Sequence, residues 1–569
     1  MLVRDTISNA VAAALQKANR DGAISVDSVP DIEVERPNNA EHGDFATNLP
    51  LRLARAARAN PLHLAQLIAE RIESSPEIDS VSAAPPGFIN FKLSESWLQQ
   101  QVEEVRAAGD SFGASDIGAG RKVMVEFVSV NPTGPVHVGH TRGAVLGSAL
   151  ANSLAAAGYD VTREYYINDA GSQMEAFYRS VWTRYRQALG RDAEMPDNGY
   201  QGDYIADIAS EIIDSDGNGY LEKTDTAAIR EIGDVAREKM VSLIREDLDA
   251  IGVAFDNWFS ERRLFQNPES STPDSLPSDY DRAMSRLREG GHLAERSGAL
   301  WFISTALGDE RDNVVVRSSG EPTYFASDIA YHFNKFAERG FDRVIDIWGA
   351  DHQGHVPRMK AAVQALGIEP DNLTVLISQM VTLKRGDETV RASKRTGDFV
   401  TLRELVDEVG TDACRYFFLA RAPSTQMEFD LELATRESSE NPVYYVQYAH
   451  ARNASILNLA AERGIEYSAG DVSLLTHPNE LELIRTMLRL PELIVQVAEN
   501  LEPHHLPHYA MELATAFHHF YENCRVISAN PDDNELTLAR LKLVAAAQVA
   551  FRRTLTLMGM SAPDRMDRE

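Results

Sequence analysis

Residues 122–167 constrain the fold most, because they carry a complete strand–turn–helix–strand pattern. The stretch KVMVEFVSV is apolar and β-branched, and Glu126 is the only charge in its interior, as expected of a parallel strand covered on both faces. A second strand is predicted in DVTREYYIN. In the helix between the two strands, small residues recur every four positions: Gly139, Gly143, Gly147, Ala151 and Ala155. One stripe of this helix is therefore nearly free of side chains, so the helix can lie close to a sheet.

This βαβ pattern predicts an open, doubly wound parallel sheet of the α/β class. The 569 residues exceed what one hydrophobic core supports, so several domains are expected. Residues 1–110 predict an additional N-terminal α/β domain, with one strand in DIEVERP. Residues 121–440 predict the doubly wound domain, interrupted at roughly 180–295 by an insertion rich in acidic and turn residues. Helical periodicity fills residues 441–569, which predict an all-α bundle.

Composition narrows the class of protein. The 44% hydrophobic and 25% charged residues are typical of a soluble globular chain. A net charge of −29 argues against generic nucleic-acid binding, but a local basic stripe can still bind a specific RNA. Two cysteines exclude a disulfide framework and a cysteine-rich zinc site, which fits a reducing cytoplasm. The strongest membrane candidate, residues 143–158, is too short to span a bilayer and contains Asn152, so we expect no membrane association.

The turn NPTGPVHVGHTRG, residues 131–143, carries the most chemistry, and we call it the histidine turn. His137 and His140 are three residues apart at the start of the predicted helix, so their side chains share one face. The first-turn N–H groups of a helix are unpaired and its dipole is positive there, which favours a phosphate. Imidazole N–H donors beside them can stabilise negative charge that develops on a phosphoryl group. Gly134 and Gly139 leave room for a nucleotide to reach the backbone.

Two other interpretations of this turn remain open at the level of spacing. An isolated H-x-x-H pair is more often an ordinary surface or core pair. A metal site needs a further ligand at suitable spacing, and neither an H-E-x-x-H motif nor a cysteine partner accompanies the pair. The preceding strand and the glycine-striped helix favour nucleotide binding over both, so no protein-bound metal is predicted.

The stretch VNPTGPVHVGHTRGAVLG resembles the HIGH signature of the class I aminoacyl-tRNA synthetases. With VEF before it and YYINDAGSQM after it, it resembles the bacterial-type arginyl-tRNA synthetases. The resemblance covers essentially the whole chain, through four further stretches: EHGDFATNLPLRLA, PGFINFKL, NPVYYVQYAHARNASI and TLMGMSAPDRM. It implies a Rossmann-like class I catalytic domain, an N-terminal domain that contacts the tRNA elbow through residues such as Asn38, His42 and Phe45, and a helical anticodon-binding domain.

The stretch RASKRTGDFVTL occupies the place of the class I KMSKS signature. The resemblance implies that Lys394 contacts the ATP phosphates and acts in catalysis with His137 and His140. It also implies a set of ATP-binding residues: Pro135, Gly139, Arg391, Ser393 and Arg395. Three of the five signature positions differ, and whether Arg391 or Lys122 replaces the first lysine stays open. On its own, the stretch is more typical of a solvated basic surface loop.

An arginine pocket must present carboxylates and other acceptors to five N–H donors. Glu126 is a buried-strand carboxylate that needs a cation, which is either a bound ligand or a salt-bridge partner within the protein. Besides Glu126, the resemblance implies a set of arginine-binding residues: Ser129, Asn131, His140, Tyr324, Asp328, Asp351 and His355. Tyr324 and Asp328 are four residues apart, so on a helix they share one face.

The resemblance implies ATP-dependent ligation of L-arginine to tRNA(Arg) through an arginyl-adenylate, with Mg²⁺ neutralising phosphate charge. The family also implies a monomer that needs tRNA before it activates arginine. Two alternatives remain: another HIGH-bearing nucleotidyltransferase or synthetase, and a non-catalytic RNA-binding paralogue. Three tyrosines in the C-terminal part can stack on RNA bases or pack in the core, and we expect at least one to be buried: Tyr444, Tyr445 and Tyr448.

Overall fold

The computed structural model describes residues 2–26, 28–37, 39–266, 277–390 and 400–566. The N-terminal part contains four helices and three strands: α1 (Val3–Arg20), β1 (Phe45–Thr47), α2 (Leu49–Ala57), α3 (Pro61–Ala69), β2 (Ile78–Ala84), β3 (Phe88–Leu93) and α4 (Glu95–Ala108). Its strands form an antiparallel sheet in the order β1-β3-β2. The strand expected in DIEVERP is absent from this described region apart from one bridge, between Glu35 and Ala46. Pro30 and Pro37 flank the stretch and supply no N–H for a ladder, which explains the wrong prediction.

The central part carries the remaining strands, interleaved with helices. Its first half contains β4 (Lys122–Glu126), α5 (Val138–Ala156), β5 (Asp160–Ile167), α6 (Ser172–Ala188), α7 (Asp203–Asp216), α8 (Asp225–Ala250), β6 (Asn257–Ser260), α9 (Asp279–Glu289), β7 (Leu293–Arg296), β8 (Ala299–Phe302) and β9 (Asn313–Val316). Its second half contains α10 (Tyr324–Phe333), β10 (Arg343–Gly349), α11 (Val356–Ala365), β11 (Leu373–Ser378), β12 (Val381–Arg385), β13 (Glu388–Val390), α12 (Leu402–Val409), α13 (Thr411–Leu419), β14 (Met427–Asp430) and α14 (Leu431–Thr435).

Five parallel strands form the main sheet, in the order β11-β10-β4-β5-β6. The chain order reverses between β4 and β10, so this is the switch point of a doubly wound sheet, as predicted. Strand β6 lies within the segment expected to be an insertion, yet it pairs with β5 at the edge of the sheet. The interruption of the sheet domain is therefore shorter than the acidic composition of residues 180–295 suggested. Strand β6 has the sequence NWFS, which is short and mostly half-buried and carries little of the apolar pattern of a central strand.

Strand β4 ends four residues earlier than the sequence KVMVEFVSV predicts. Val128 and Ser129 have φ angles of +70° and +42°, in the left-handed region that an extended strand cannot contain. The chain therefore turns away from the sheet directly after Phe127.

Helix α5 lies close against this turn, as its small-residue stripe predicts. A Cβ atom added to Gly147 would lie 2.2 Å from the Phe127 ring, so only glycine fits there. Arg142 on the same helix is fully buried, and its guanidinium donates to four backbone carbonyl groups: those of Gln379, Arg421, Ala422 and Thr425. The helix is thereby fixed to the chain just before β12 and just before β14.

The C-terminal part is a helical bundle, as predicted, of α15 (Pro442–Glu462), α16 (Pro478–Met487), α17 (Leu490–Asn500), α18 (His505–Asn523) and α19 (Asn534–Met558). Ion pairs join it to the N-terminal part: Arg36 binds Glu492 through two hydrogen bonds of 3.1 and 2.9 Å, and Arg485 binds Asp44 at 2.6 Å. Among the helices of the described ranges, none has both the length and the apolar character needed to cross a membrane.

Candidate active site

The carboxyl ends of β4 and β10 meet at the switch point, with Glu126 opposite Asp346 in the parallel register. The histidine turn follows β4, and a 3₁₀ segment, Ala350–His355, follows β10. In open α/β sheets, the crevice outside such strand ends is where ligands bind. The residues that the sequence nominated on these two stretches therefore lie at one edge of the sheet.

The two histidines of the turn lie side by side, as their spacing predicts. His137 is the N-cap of α5, and its Nδ1 accepts a hydrogen bond of 3.1 Å from the Gly139 N–H. His140 is the third residue of the helix, and the centroids of the two rings are 3.8 Å apart. A Cβ on Gly139 would lie 2.9 Å from the His137 ring, so this glycine lets the ring fold over the helix end.

Both imidazoles are neutral at physiological pH. Burial lowers the pKa of His137, and burial together with the neighbouring His137 lowers the pKa of His140 to about 3. The Nδ1 of His140 is buried and has no hydrogen-bond partner among the described residues. The pair can therefore act through neutral N–H donors, and its electrostatic effect comes from ring dipoles and not from a positive charge.

The histidine turn is bonded directly to the end of the KMSKS-like stretch. The Val138 N–H donates to the Val400 carbonyl at 3.0 Å, and the Leu402 N–H donates to the Val136 carbonyl at 2.7 Å. Residues 391–399 are outside the described ranges, so nothing tests the predicted ATP contacts of four residues: Arg391, Ser393, Lys394 and Arg395. Lys394 is six residues from Val400, which limits the backbone between them to about 20 Å.

Glu126 has its cation within the protein, which is one of the two alternatives that the sequence left open. Lys335 is fully buried and donates to Glu126 and, at 2.9 Å, to Asp346. Ser129 donates its hydroxyl to the other Glu126 oxygen at 2.9 Å. Burial raises the pKa of Glu126 although Lys335 opposes the rise. The ion pair accounts for the buried charge without a ligand, so an arginine contact through Glu126 stays a prediction.

The turn after β4 is strained at Val128 and Ser129, the two residues with positive φ. A β-branched residue such as valine is a rare occupant of this region, and such strain concentrates at functional sites. The Ser129 hydroxyl, besides bonding Glu126, accepts the Tyr166 N–H at 3.1 Å, which connects the turn to β5. A valine and a serine in the sequence do not predict positive φ angles, so this backbone conformation was not expected.

Asp328 is a half-buried acid whose carboxylate makes no hydrogen bond or ion pair with any residue in the described part of the chain. Burial raises its pKa above the ordinary value. Tyr324, one helical turn earlier on α10, is 48% exposed, and its hydroxyl would lie 2.9 Å from a Cβ on Gly171 in the loop after β5. Asn131 bonds to Gln173 just beyond that loop. The loops after β4 and β5 thus meet the start of α10.

A second acid, Glu261, was not identified from the sequence. It is 3% exposed, and burial, with Asp328 and Asp169 nearby, raises its pKa to about 7. Its Oε2 and the Tyr166 hydroxyl are buried and have no partner among the described residues. Glu261 directly follows β6, at the carboxyl edge of the sheet, so recognising β6 as a sheet strand would have nominated it.

The two remaining nominated residues lie at the rim of the site. Asp351 is exposed and pairs with His352 at 3.4 Å. His355 is half-buried, and burial lowers its pKa. Within the described ranges, no hydrogen bond or ion pair joins either residue to Asp328 or to the histidine turn.

The described residues contain one group of three side chains close enough to ligate a metal ion: Glu502, His504 and His505. This group lies at the start of α18, where the helix dipole disfavours a cation, and not at the switch point.

Comparison with known proteins decides the family. Three family models match the chain: an arginyl-tRNA synthetase N-terminal domain over residues 5–93, a class I (R) tRNA synthetase catalytic domain over 101–419, and a DALR anticodon-binding domain over 446–566. The chain belongs to the arginyl-tRNA synthetase family. An arginine–tRNA ligase of Dehalococcoides mccartyi is 55% identical over 100% of this chain and 99% of its own length.

Other family members match over similar lengths. An arginine–tRNA ligase of Heliobacterium modesticaldum is 47% identical over 99% of both chains. The Thermus thermophilus arginyl-tRNA synthetase, at 23% identity, shares the fold with a TM-score of 0.77 over 99% of this chain and 100% of its own. The class I doubly wound sheet, the N-terminal α/β part and the helical C-terminal part therefore agree with the fold that the sequence predicted.

The anticodon-binding part of this arginyl-tRNA synthetase family member contains an aromatic cavity of about 530 Å³. It is lined by Tyr444, Tyr445 and Tyr448 of α15 together with His518 of α18. The rings of Tyr444 and Tyr448 are stacked with centroids 6.0 Å apart, and the Arg452 guanidinium lies over Tyr448. All three tyrosines are half-buried, so the expectation that at least one is buried was wrong. The core-facing positions of α15 are filled by smaller residues such as Val446 and Ala449.

A larger cavity, of about 830 Å³, lies between the N-terminal sheet and the bundle. His42 lines it, whereas Phe45 is buried in the core and Asn38 is outside the described residues. Four permanently cationic side chains line the same cavity: Arg36, Lys92, Arg485 and Arg489. Four acids line it as well, Glu41, Asp44, Glu482 and Glu512, so the charge of the lining is mixed.

Proposed function

We propose that the chain performs the reaction of its family at the switch point of the sheet. An oxygen of the arginine carboxylate attacks the α-phosphorus of ATP, and the bond to the departing pyrophosphate breaks. The terminal 2′-hydroxyl of tRNA(Arg) then attacks the carbonyl carbon of the arginyl-adenylate, loses its proton, and AMP leaves. The observation that carries this proposal is Asp328, an acid whose carboxylate has no hydrogen bond or ion pair to any described residue, and which lies near Glu261 and near Tyr166, the residue bonded to Ser129 of the strained turn.

The arginine pocket is built around Asp328 and Tyr324. A guanidinium brings five N–H donors and a charge, and the half-buried Asp328 carboxylate, which has no partner among the described residues, is the complementary group. Glu261 adds a second negative charge beside Asp328 once it loses its proton. We assign Ser129 and Asn131, two polar residues on the strained turn, to the end of the pocket that faces His140. Asp351 and His355 line the rim of this pocket in the proposal.

ATP is placed over the start of α5. The helix N-terminus favours phosphate, and His137 and His140 supply neutral donors to the phosphoryl oxygens, with Pro135 and Gly139 shaping the turn. Lys394, Arg391 and Arg395 supply positive charge from the KMSKS-like stretch, and Ser393 supplies a hydroxyl. Mg²⁺ would be held mainly by the ATP phosphates, since the histidine turn itself offers no carboxylate; there it would neutralise phosphate charge.

The tRNA is proposed to contact both cavities outside the sheet domain. The aromatic cavity of α15 and α18 suits an unstacked base, because Tyr444 and Tyr448 offer ring faces and Arg452 a cation. The cavity between the N-terminal sheet and the bundle, lined by His42 and Lys92 among others, is proposed to receive the tRNA elbow. On family grounds we propose a monomer acting in the cytoplasm, and light scattering after size exclusion should give the mass of one chain.

The decisive measurement is arginine-dependent exchange of pyrophosphate into ATP, with and without tRNA, across all amino acids. We expect arginine to be the only amino acid that supports exchange, and we expect this exchange only when tRNA is present. Exchange with another amino acid and not with arginine would overturn the proposal. Lys394→Ala should reduce the rate by more than Arg391→Ala, since Lys394 holds the signature's second lysine position. Equal rates in both variants and the unmodified chain would remove residues 391–395 from the mechanism.

A further inference from the structure

Helix α8 reaches the active site at its C-terminal turn, through Asp247. This acid is 3% exposed, although it lies on a helix of the segment that the sequence treated as an insertion. Its carboxylate accepts a hydrogen bond of 3.3 Å from Nε of Arg403. The same guanidinium donates from Nη2 to the Glu246 carbonyl at 2.8 Å. Arg403 is therefore held by two groups of α8 at once.

The contact with α8 matters because Arg403 lies close to the residues that pair with the histidine turn. Arg403 is the second residue of α12 and follows Thr401, which forms a β-bridge with His137. Val400, the first described residue of the KMSKS-like stretch, accepts the Val138 N–H. Because Arg403 is fixed to α8, the segment 400–403, which bonds to the histidine turn, is fixed as well.

Asp247 also touches the other side of the bridge. The backbone N–H of Val136, the residue before His137, interacts with the Asp247 carboxylate, while the Val136 carbonyl accepts the Leu402 N–H at 2.7 Å. One buried carboxylate therefore contacts the histidine turn through Val136 and the following segment through Arg403. Burial raises the pKa of Asp247, and Arg403 and the Val136 N–H oppose the rise, so the contacts favour the charged form.

We infer that Asp247 and Arg403 are positioning residues for adenylate formation, which hold the histidine turn and the segment 400–403 in one fixed register. We call this pair the α8 clasp. The inference rests on the proposed function. The clasp lies beside the ATP end of the site and has no described contact with Asp328 or Tyr324, so its loss should affect the rate of the chemical step more than arginine binding. A displacement of about 1 Å in such a site can cost on the order of a hundredfold in rate.

The test uses Asp247→Asn, which keeps the side-chain volume, and Arg403→Gln, in the full chain with tRNA present. We expect kcat for arginine-dependent pyrophosphate exchange, per active site titrated, to fall by roughly tenfold to a hundredfold in each variant. The KM for arginine should change by less than about twofold. The double variant should be no slower than the slower single variant, because both substitutions break one unit. Arg403→Lys should recover only part of the rate, since ammonium cannot span the two acceptors as guanidinium does.

Arg385→Gln is the matched control. Arg385 pairs with Glu408 of helix α12, but the side chain of this acid is 39% exposed, against 4% for that of Asp247, and neither Arg385 nor Glu408 contacts the histidine turn in the described ranges. This variant should keep the unmodified rate. An unchanged kcat in Asp247→Asn, a loss explained entirely by fewer active sites or a lower melting temperature, or additive losses in the double variant would overturn the inference. Failure of the unmodified chain to activate arginine would instead overturn the proposed function.

Discussion

At the scale of single residues, the charge of Glu261 sets how the proposed arginine pocket responds to pH. Its pKa is raised to about 7 by burial, so it is largely protonated below pH 7 and charged above it. A guanidinium at Asp328 prefers the charged form of Glu261. The KM for arginine should therefore fall as pH rises through 7 and level off above it.

Substituting Glu261→Gln should remove this pH dependence and raise the KM for arginine at pH 8 by about tenfold, because a nearby charge contributes on the order of 1–2 kcal/mol at an effective dielectric constant near 20. The measurement is a series of arginine titrations in pyrophosphate exchange from pH 6 to pH 8.5. Glu289→Gln, an exposed acid at the end of α9, is the control and should follow the unmodified profile. A Glu261→Gln profile that still falls through pH 7 would show that another group titrates.

His140 acts as a neutral donor in the proposal, because its pKa is lowered to about 3. His140→Ala should reduce arginine activation by about a hundredfold to a thousandfold, as expected for loss of one donor to a developing charge. Binding of tRNA in a filter assay should persist, since no residue of the histidine turn lines either proposed tRNA cavity. An equal loss of activation and tRNA binding would mean that the residue is structural.

At the scale of elements, two glycines of α5 face different surroundings and should respond oppositely to alanine. At Gly147 the added Cβ would meet the Phe127 ring at 2.2 Å, so Gly147→Ala should lower the free energy of unfolding by about 1–3 kcal/mol. At Gly143 the nearest atom is 4.0 Å away on Ile347, so Gly143→Ala should be tolerated or stabilise by about 0.5–1 kcal/mol. Urea unfolding of both variants checks this, and equal effects would contradict the packing described here.

The same two elements show why local pattern predicted some features and missed others. The spacing of the small residues in α5 is a property of consecutive positions, so the helix and its close approach were predictable. The end of β4 was not, because Val128 is a good strand residue and its left-handed backbone is set by the groups around Ser129. Strand β6 was missed because an edge strand of four residues carries too few apolar positions to stand out from an acidic segment.

At the scale of the whole molecule, the ion pairs between the N-terminal part and the bundle hold the walls of the cavity between them together. Arg36→Glu places two carboxylates opposite each other at Glu492 and should raise the KM for tRNA several-fold while the KM for arginine stays unchanged. The exchange Arg36→Glu with Glu492→Arg should restore tRNA binding. Arg52→Glu is the control, because its pair with Glu33 lies within the N-terminal part. No recovery in the exchanged variant would mean that Arg36 contacts tRNA itself.

The sequence by itself determined the βαβ unit, the helical C-terminal part, the side-by-side histidines and the family, because each depends on periodicity or on the order of short motifs. The tertiary structure decided which charges are paired. Lys335 reaches Glu126 from 209 residues away, Asp328 is left without a described partner, and Glu261 arrives beside it from the end of an edge strand. Such partnerships depend on which strand ends and helix faces meet, and burial then makes each unpaired charge costly enough to matter. The histidine turn could be located from the sequence, but what holds it, Asp247 on a helix that the sequence treated as an insertion, could not.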